Sequence, residues 1–271
     1  MSFATEADLC LAFAETVPSA WTVYNETAGF DMVLVHKSGF QIGIEAKLRL
    51  NAKVILQAVD TEVRRGTGPG PDARAVLVPK GKDLHSDLAR LCRLLSVTII
   101  TVEPTSEWNR KRDGEWTLRP ALPEPQRLHG MDGEIDTTCR MFWNNDEWFD
   151  QCPISQAKLP EYVPDVPAGH PSPVVLGRWK IQAIKVCVWV ERYGVITRAH
   201  FKALGIDPGR WMTGYWLQKG KNRGNWVAGP SFPFEQYKAT HPTIVEKVIA
   251  DFNTWSVENG LAALGGQVVL P

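Results

Sequence analysis

The chain has 271 residues, with 30 Lys/Arg against 30 Asp/Glu, a 44% apolar fraction and a mean hydropathy of −0.19. That length allows two hydrophobic cores in a globular protein, and no apolar stretch is long enough to span a bilayer, so no membrane partner is expected. The N-terminus starts acidic rather than basic, and the five scattered cysteines form no CxxC, so structural zinc is not expected and a reducing, cytoplasmic location fits.

Taken in chain order, Thr5 reads as the N-cap of a helix running to about Val17, with Leu9, Ala12, Phe13 and Thr16 on one side. Trp21 to Tyr24 is a first strand. Phe30 to Val35 is an apolar run interrupted by Asp31, and Phe40 to Leu48 alternates with period two. Lys37-Ser38-Gly39 between them is a three-residue hairpin loop with glycine at the left-handed position. Closing His36 against Phe40 sets Asp31 opposite Glu45. Gln41, Gly43, Glu45 and Lys47 then share one face, and Phe40, Ile42, Ile44, Ala46 and Leu48 the other. Opposed carboxylates repel, so a compensating charge is expected there, and a divalent cation beside Lys47 would supply it.

Asn51 caps a second helix with Val54, Ile55, Ala58, Val59 and Val63 at helical spacing, up to Arg65-Gly66. The loop Gly66 to Pro71 is glycine-rich but lacks the Gly-Lys-Ser/Thr ending of a phosphate loop, leaving a lid, a DNA-contacting loop or a plain connector. Arg74 to Pro79 is a buried strand, Ser86 to Leu95 a helix, and Val97 to Val102 a further strand.

Asp31 with Glu45-Ala46-Lys47 on such a hairpin resembles the PD-(D/E)XK nuclease superfamily, whose core order is α-β-β-β-α-β. The resemblance covers about residues 5 to 102. It implies an α/β fold with a mixed central sheet of restriction-endonuclease-like type, and Mg²⁺-dependent hydrolysis of DNA phosphodiesters, with Mn²⁺ able to substitute. Asp31, Glu45 and the Ala46 carbonyl would hold the metal, which polarises the phosphoryl oxygen. Lys47 would orient the attacking water or neutralise the phosphate. A carboxylate from the first helix often completes such sites; Glu6 is chosen over Glu15, which lies nearer the apolar side. Gln57 is the amide carried by the helix after the motif, although Thr61 stands where the RecB-like branch has tyrosine, and Phe30 replaces the proline that names the motif. Apart from the resemblance, Asp31 reads as a strand-start residue capping the Ala28-Gly29 turn, Glu45 with Lys47 as a solvated strand face, and Gln57 as a surface amide.

Zero net charge conceals a split. Residues 1–104 hold 11 Lys/Arg and 12 Asp/Glu, residues 105–170 hold 7 and 12, and residues 171–271 hold 12 and 6. Three regions follow: a nuclease-like domain over 1–104, a Pro-rich acidic and aromatic connector over 105–170, and a basic domain over 171–271. The aromatic cluster Met141 to Phe149 is expected to pack against one of the domains. In the basic part, Leu176 to Tyr193 reads as a helix ended by Gly194, Thr197 caps a short helix, and Pro208 opens a third helix from Gly209 to about Gln218. Lys219 to Val227 reads as a basic hairpin. This order resembles a winged helix-turn-helix. It implies DNA as the partner, with Arg210, Thr213 and Tyr215 facing a groove and Lys219, Lys221 and Arg223 meeting phosphates. A helical protein-interaction domain with the same three-helix core is the other reading. The function expected is a Mg²⁺-dependent DNA endonuclease targeted by its C-terminal domain. The alternative is a catalytically inactive nuclease fold kept as a DNA- or protein-binding module, and a homodimer or a further protein partner is open in either case.

Overall fold

A computed structural model describes residues 3–59, 69–81, 86–110, 114–123, 125–129, 135–142, 147–151, 153–164, 168, 177–213 and 215–261. It divides into two units, one of residues 1–159 and 166–173, the other of residues 160–165 and 174–271.

In the first unit, Thr5 Oγ1 accepts from the Asp8 N–H at 3.1 Å and the Asp8 carboxylate accepts from the Thr5 N–H at 2.9 Å, a reciprocal cap that starts α1 (Glu6–Thr16). β1 (Trp21–Thr27) turns into β2 (Phe30–His36) through Ala28 and Gly29, both left-handed at φ 54° and 86°, as a two-residue loop matched to strand twist requires. β2 turns into β3 (Gln41–Ala46) where the His36 N–H donates to Phe40 O at 2.8 Å and Gly39 takes φ 88°. The pairs Met32–Ile44, Val33–Gly43, Leu34–Ile42 and Val35–Gln41 reproduce the register expected from the loop.

Asn51 Oδ1 accepts from the Val54 N–H at 3.0 Å and starts α2 (Ala52–Val59). The expected continuation to Gly66 lies outside the described residues. After β4 (Pro69–Gly70) come β5 (Ala73–Pro79), α3 (Asp87–Leu94), β6 (Thr98–Pro104) and β7 (Trp116–Arg119). The six-stranded sheet runs β1-β2-β3-β5-β6-β7, parallel across β3-β5-β6 and antiparallel elsewhere. Leu9 and Phe13 of α1 pack against Met32, Ile42, Ile44 and Leu77 on one face. Val54, Ile55 and Ala58 of α2, with Cys92 of α3, pack against Val76 and Val78 on the other. Helices thus cover both faces, and every residue of β3 is buried. The reading of Glu45 as part of a solvated strand face is therefore corrected: a strand at the centre of a mixed sheet has no water-facing side.

The region 105–170 is built largely into the first unit. Two strands, β8 (Pro125–His129) and β9 (Ile135–Phe142), pair antiparallel, and β10 (Ser155–Gln156) lies parallel to β4. Trp148 is buried in the α1-side core and its indole N–H donates to Ala121 O at 2.9 Å. Residues 143–146 of the aromatic cluster lie outside the described set.

In the second unit, α4 (Arg178–Tyr193) ends at Gly194 with φ 69°, and Thr197 with His200 forms the capping box of α5 (Arg198–Ala203). The expected start at Leu176 lies outside the described residues. β11 (Ile196–Thr197), α6 (Gly209–Thr213), β12 (Leu217–Lys219) and β13 (Asn225–Ala228) follow the order helix, strand, helix, helix, hairpin. The sheet order is β11-β13-β12. α7 (Phe234–Thr240), α8 (Pro242–Ala250) and α9 (Phe252–Glu258) complete a core around Trp189, Phe201, Trp211 and Trp255. The third helix is shorter than expected. It stops at Thr213, Tyr215 turns left-handed at φ 61°, and Leu217 pairs with Ala228 across the hairpin. Buried Leu217 and the β-ladder there override helical propensity.

No helix among the described residues is long and apolar enough to cross a membrane.

Candidate metal centre and basic hairpin

β2 and β3 bring the carboxylates together because their loop length sets the register. Met32 pairs with Ile44, so the preceding Asp31 stands across from Glu45. Asp31 Oδ2 accepts from the Ala46 N–H at 2.8 Å, so its carboxylate reaches β3 and does not cap the Ala28-Gly29 turn. Glu45 is 3% exposed, and among the described residues it has no hydrogen-bond or ion-pair partner. Burial first, then the charge of Asp31, pushes the Glu45 carboxyl up to about 8, with Glu26 and Glu6 adding to the rise and Lys47 opposing it. Asp31 is also raised by burial, against the lowering effects of its Ala46 hydrogen bond and of Lys47. A buried carboxylate facing another carboxylate, with no protein cation bonded to it, is in deficit of positive charge.

Lys47 follows the last residue of β3 and donates to Glu6 Oε2 at 2.6 Å. Burial lowers its basicity, but the Glu6 hydrogen bond and the Asp31, Glu6 and Glu45 charges outweigh that and leave it raised. Lys47 therefore stays an ammonium. Its pairing places Glu6, at the N-terminal turn of α1, beside the hairpin, whereas Glu15 is exposed farther along the helix. Gln57 lies on the exposed side of α2, and among the described residues it has no hydrogen bond to these four. Ala46 is fully buried, with its N–H held by Asp31.

Sequence reasoning missed Glu26. The pairs Asn25–Met32 and Thr27–Phe30 set it across from Asp31 on the other side, at φ 48°. Glu26, Asp31 and Glu45 thus occupy one row across three strands. The signal was the Ala28-Gly29 loop, which fixes the β1–β2 register as firmly as Lys37-Ser38-Gly39 fixes the next one. Cys10 on α1 lies within the same field; burial, then Asp31, Glu26 and Glu6, push its thiol up to about 12, so it stays protonated.

Among the described residues no group of three or more His, Cys, Asp or Glu side chains is drawn together tightly enough to hold a metal by itself. Asp31 and Glu45 fit Mg²⁺ in another way. They are two hard oxygen donors short of positive charge, and Mg²⁺ keeps several water or phosphate ligands beside one or two carboxylates.

In the second unit, Lys219, Lys221 and Arg223 are exposed on the β12–β13 hairpin, and no carboxylate among the described residues pairs with them. Arg210 lies 5.6 Å from the Trp179 ring centroid. Thr213 Oγ1 donates to Gly209 O at 2.9 Å, closing the helix end, and Tyr215 is 75% exposed beside the hairpin. The three groove-facing candidates are therefore not ranged along one long helix.

Comparison with family models, with curated proteins and with solved structures finds no match to this chain.

Proposed function

We propose that the chain is a Mg²⁺-dependent DNA endonuclease of PD-(D/E)XK type. The observation that carries this reading is the buried Glu45 carboxylate, without an ion-pair partner among the described residues, set across from Asp31 with Lys47 two residues on. Asp31 and Glu45 would hold Mg²⁺, which supplies Lewis acidity toward a phosphoryl oxygen. Lys47, kept charged and oriented by Glu6, donates to the negative charge that builds on the phosphate, and Glu6 fixes the direction of that donation. With β4 set apart because it pairs with β10 outside the six-stranded sheet, the order α1-β1-β2-β3-α2-β5 supports the restriction-endonuclease-like reading. In the second unit, the order from α4 to β13 with an unpaired basic hairpin supports a winged-helix-like DNA-binding domain, the hairpin meeting phosphates.

The engagement of Lys47 by Glu6 and the exposed position of Gln57 favour one other reading, a catalytically inactive nuclease fold that binds DNA or protein. Incubating the full chain with supercoiled plasmid in Mg²⁺, in Mn²⁺ and in EDTA separates the two. The nuclease reading expects nicking or linearisation with either metal, none in EDTA, and none by Glu45→Ala. Intact plasmid in both metals at high enzyme concentration would leave only the binding module.

A further inference from the structure

On the α3 side of the first unit lies a cavity of about 620 Å³, within the range of small-molecule sites. Its wall carries Lys80 after β5, Arg93 on α3 and Arg119 at the end of β7. Glu103 takes Lys80 at 2.5 Å and stands 3.8 Å from Arg119, so one carboxylate is shared by two cations. Arg93 is exposed and has no ion pair among the described residues. Glu147 is the acidic residue of the lining, and its backbone carbonyl is held by Thr98 Oγ1 at 2.6 Å. Positive charge is therefore in excess. Phe149 and Ile99 add an aromatic ring and an apolar wall to the same cavity.

We infer that this cavity binds a nucleotide unit, its phosphate met by Arg93 and Arg119 and its base laid against Phe149. A cavity built only for inorganic phosphate would need neither the aromatic ring nor this volume, and one built for an apolar ligand would not gather three cations. Stacking on an aromatic side chain and charge-assisted contact to phosphate are the two interactions by which single nucleotides are held without sequence readout. Position adds a further point. Glu45 pairs with Val76 and Val76 with Ile99, so the cavity begins two strand spacings, about 10 Å, from the carboxylates. The ligand is either a free mononucleotide or one nucleotide of a bound strand. The inference stands without the nuclease reading.

The test is calorimetric titration of the full chain in EDTA with a deoxynucleoside monophosphate, its nucleoside, inorganic phosphate and a short single-stranded oligonucleotide. The monophosphate is expected to bind, with nucleoside and phosphate each at least roughly tenfold weaker. Arg93→Ala and Phe149→Leu should each weaken binding roughly tenfold or more without changing the melting temperature. Tighter binding of the oligonucleotide, lost in Arg93→Ala although the basic hairpin is intact, assigns the site to a strand; tighter binding of the monophosphate assigns it to a free nucleotide. Absence of binding by both, or equal affinity in wild type and Arg93→Ala, overturns the inference. Failure of plasmid cleavage leaves these titrations unchanged, so the two readings fall separately.

Discussion

Glu45 and Lys47 are two residues apart, yet their environments differ: Glu45 is buried beside Asp31, whereas Lys47 is paired with Glu6, and the proposed nuclease reading gives them different tasks. Removing Asp31 or Glu45 as alanine should abolish cleavage. Glu45→Ala should leave the metal-free fold intact or slightly stabilised because it ends a like-charge opposition, whereas Asp31→Ala leaves the buried Ala46 N–H without its acceptor and should cost about 1–3 kcal/mol. Mg²⁺ should raise the melting temperature of the wild type and not of these variants, since ligand bound only to the folded state stabilises it. Lys47→Ala should also lose cleavage but keep the Mg²⁺-dependent rise, and loss of that rise would reassign Lys47 to metal holding. A pH series in EDTA tests the burial of Glu45. Its folded value of about 8 lies above the ordinary 4.5, so its contribution to stability is complete below about pH 4.5 and is lost as pH rises through 8. Wild type should therefore melt progressively lower between pH 5 and 8 than Glu45→Gln does, and parallel curves would contradict the shift. The Asp31–Glu45 opposition was legible because a three-residue loop leaves one register. Glu26 was equally legible, because the two-residue Ala28-Gly29 loop leaves one register between β1 and β2.

The hairpin that carries the site is held by a close approach. A Cβ at Gly43 would lie 2.7 Å from two Phe30 ring carbons and 2.8 Å from Pro71 Cγ. Gly43→Ala should therefore cost about 1–3 kcal/mol in denaturant unfolding, and Phe30→Ala combined with it should cost less than the two separate losses together. Phe30 thus fills the space over Gly43, which no pairing rule reveals. Helix starts were legible at Thr5, Asn51 and Thr197, because caps are local chemistry. The end of α6 was not, because the ladder between β12 and β13 joins residues that a linear reading treats as helix and hairpin in turn. Double burial of β3 was hidden for a similar reason: Gln41, Gly43 and Glu45 look solvated in sequence, yet Gln41 is held by Asp72 and Ala157 and Gly43 lies against Phe30 and Pro71, all distant in the chain. Replacing Lys219, Lys221 and Arg223 together should weaken binding to all duplexes about equally and flatten the salt slope, read by titration at two salt concentrations.

For the molecule as a whole, the charge balance located a change of character near residue 104, yet the chain continues in the first unit through residue 159. Aromatic content in 105–170 signalled packing, but only the burial of Trp148 among α1-side residues says where. The second unit also begins earlier in the chain than its basic composition suggests. Tyr162 belongs to its core, and Lys185, with a side chain 3% exposed, is held by Glu161 at 2.7 and 2.8 Å. A fragment of residues 160–271 should fold and bind duplex DNA with strong salt dependence. One starting at residue 171 leaves Lys185 buried without Glu161, and because Glu161 is itself 42% exposed the loss should be about 1–3 kcal/mol, measurable by chemical denaturation.

The interleaving of the two units along the chain limits how the protein can be recombined. Residues 160–165 belong to the second unit, 166–173 to the first, and 174 onward to the second again. The boundary is therefore crossed three times, and no single cut in the gene yields two self-sufficient halves. A graft that gave the first unit a different second unit by one junction after residue 173 would carry along Glu161 and Tyr162 with nothing to bind. A junction before residue 160 would strip residues 166–173, Ala168 of its core included, from the first unit. Exchange of one unit by fusion thus demands two seams, and chimeras built with one should be recovered as poorly folded chains even when both parents are sound.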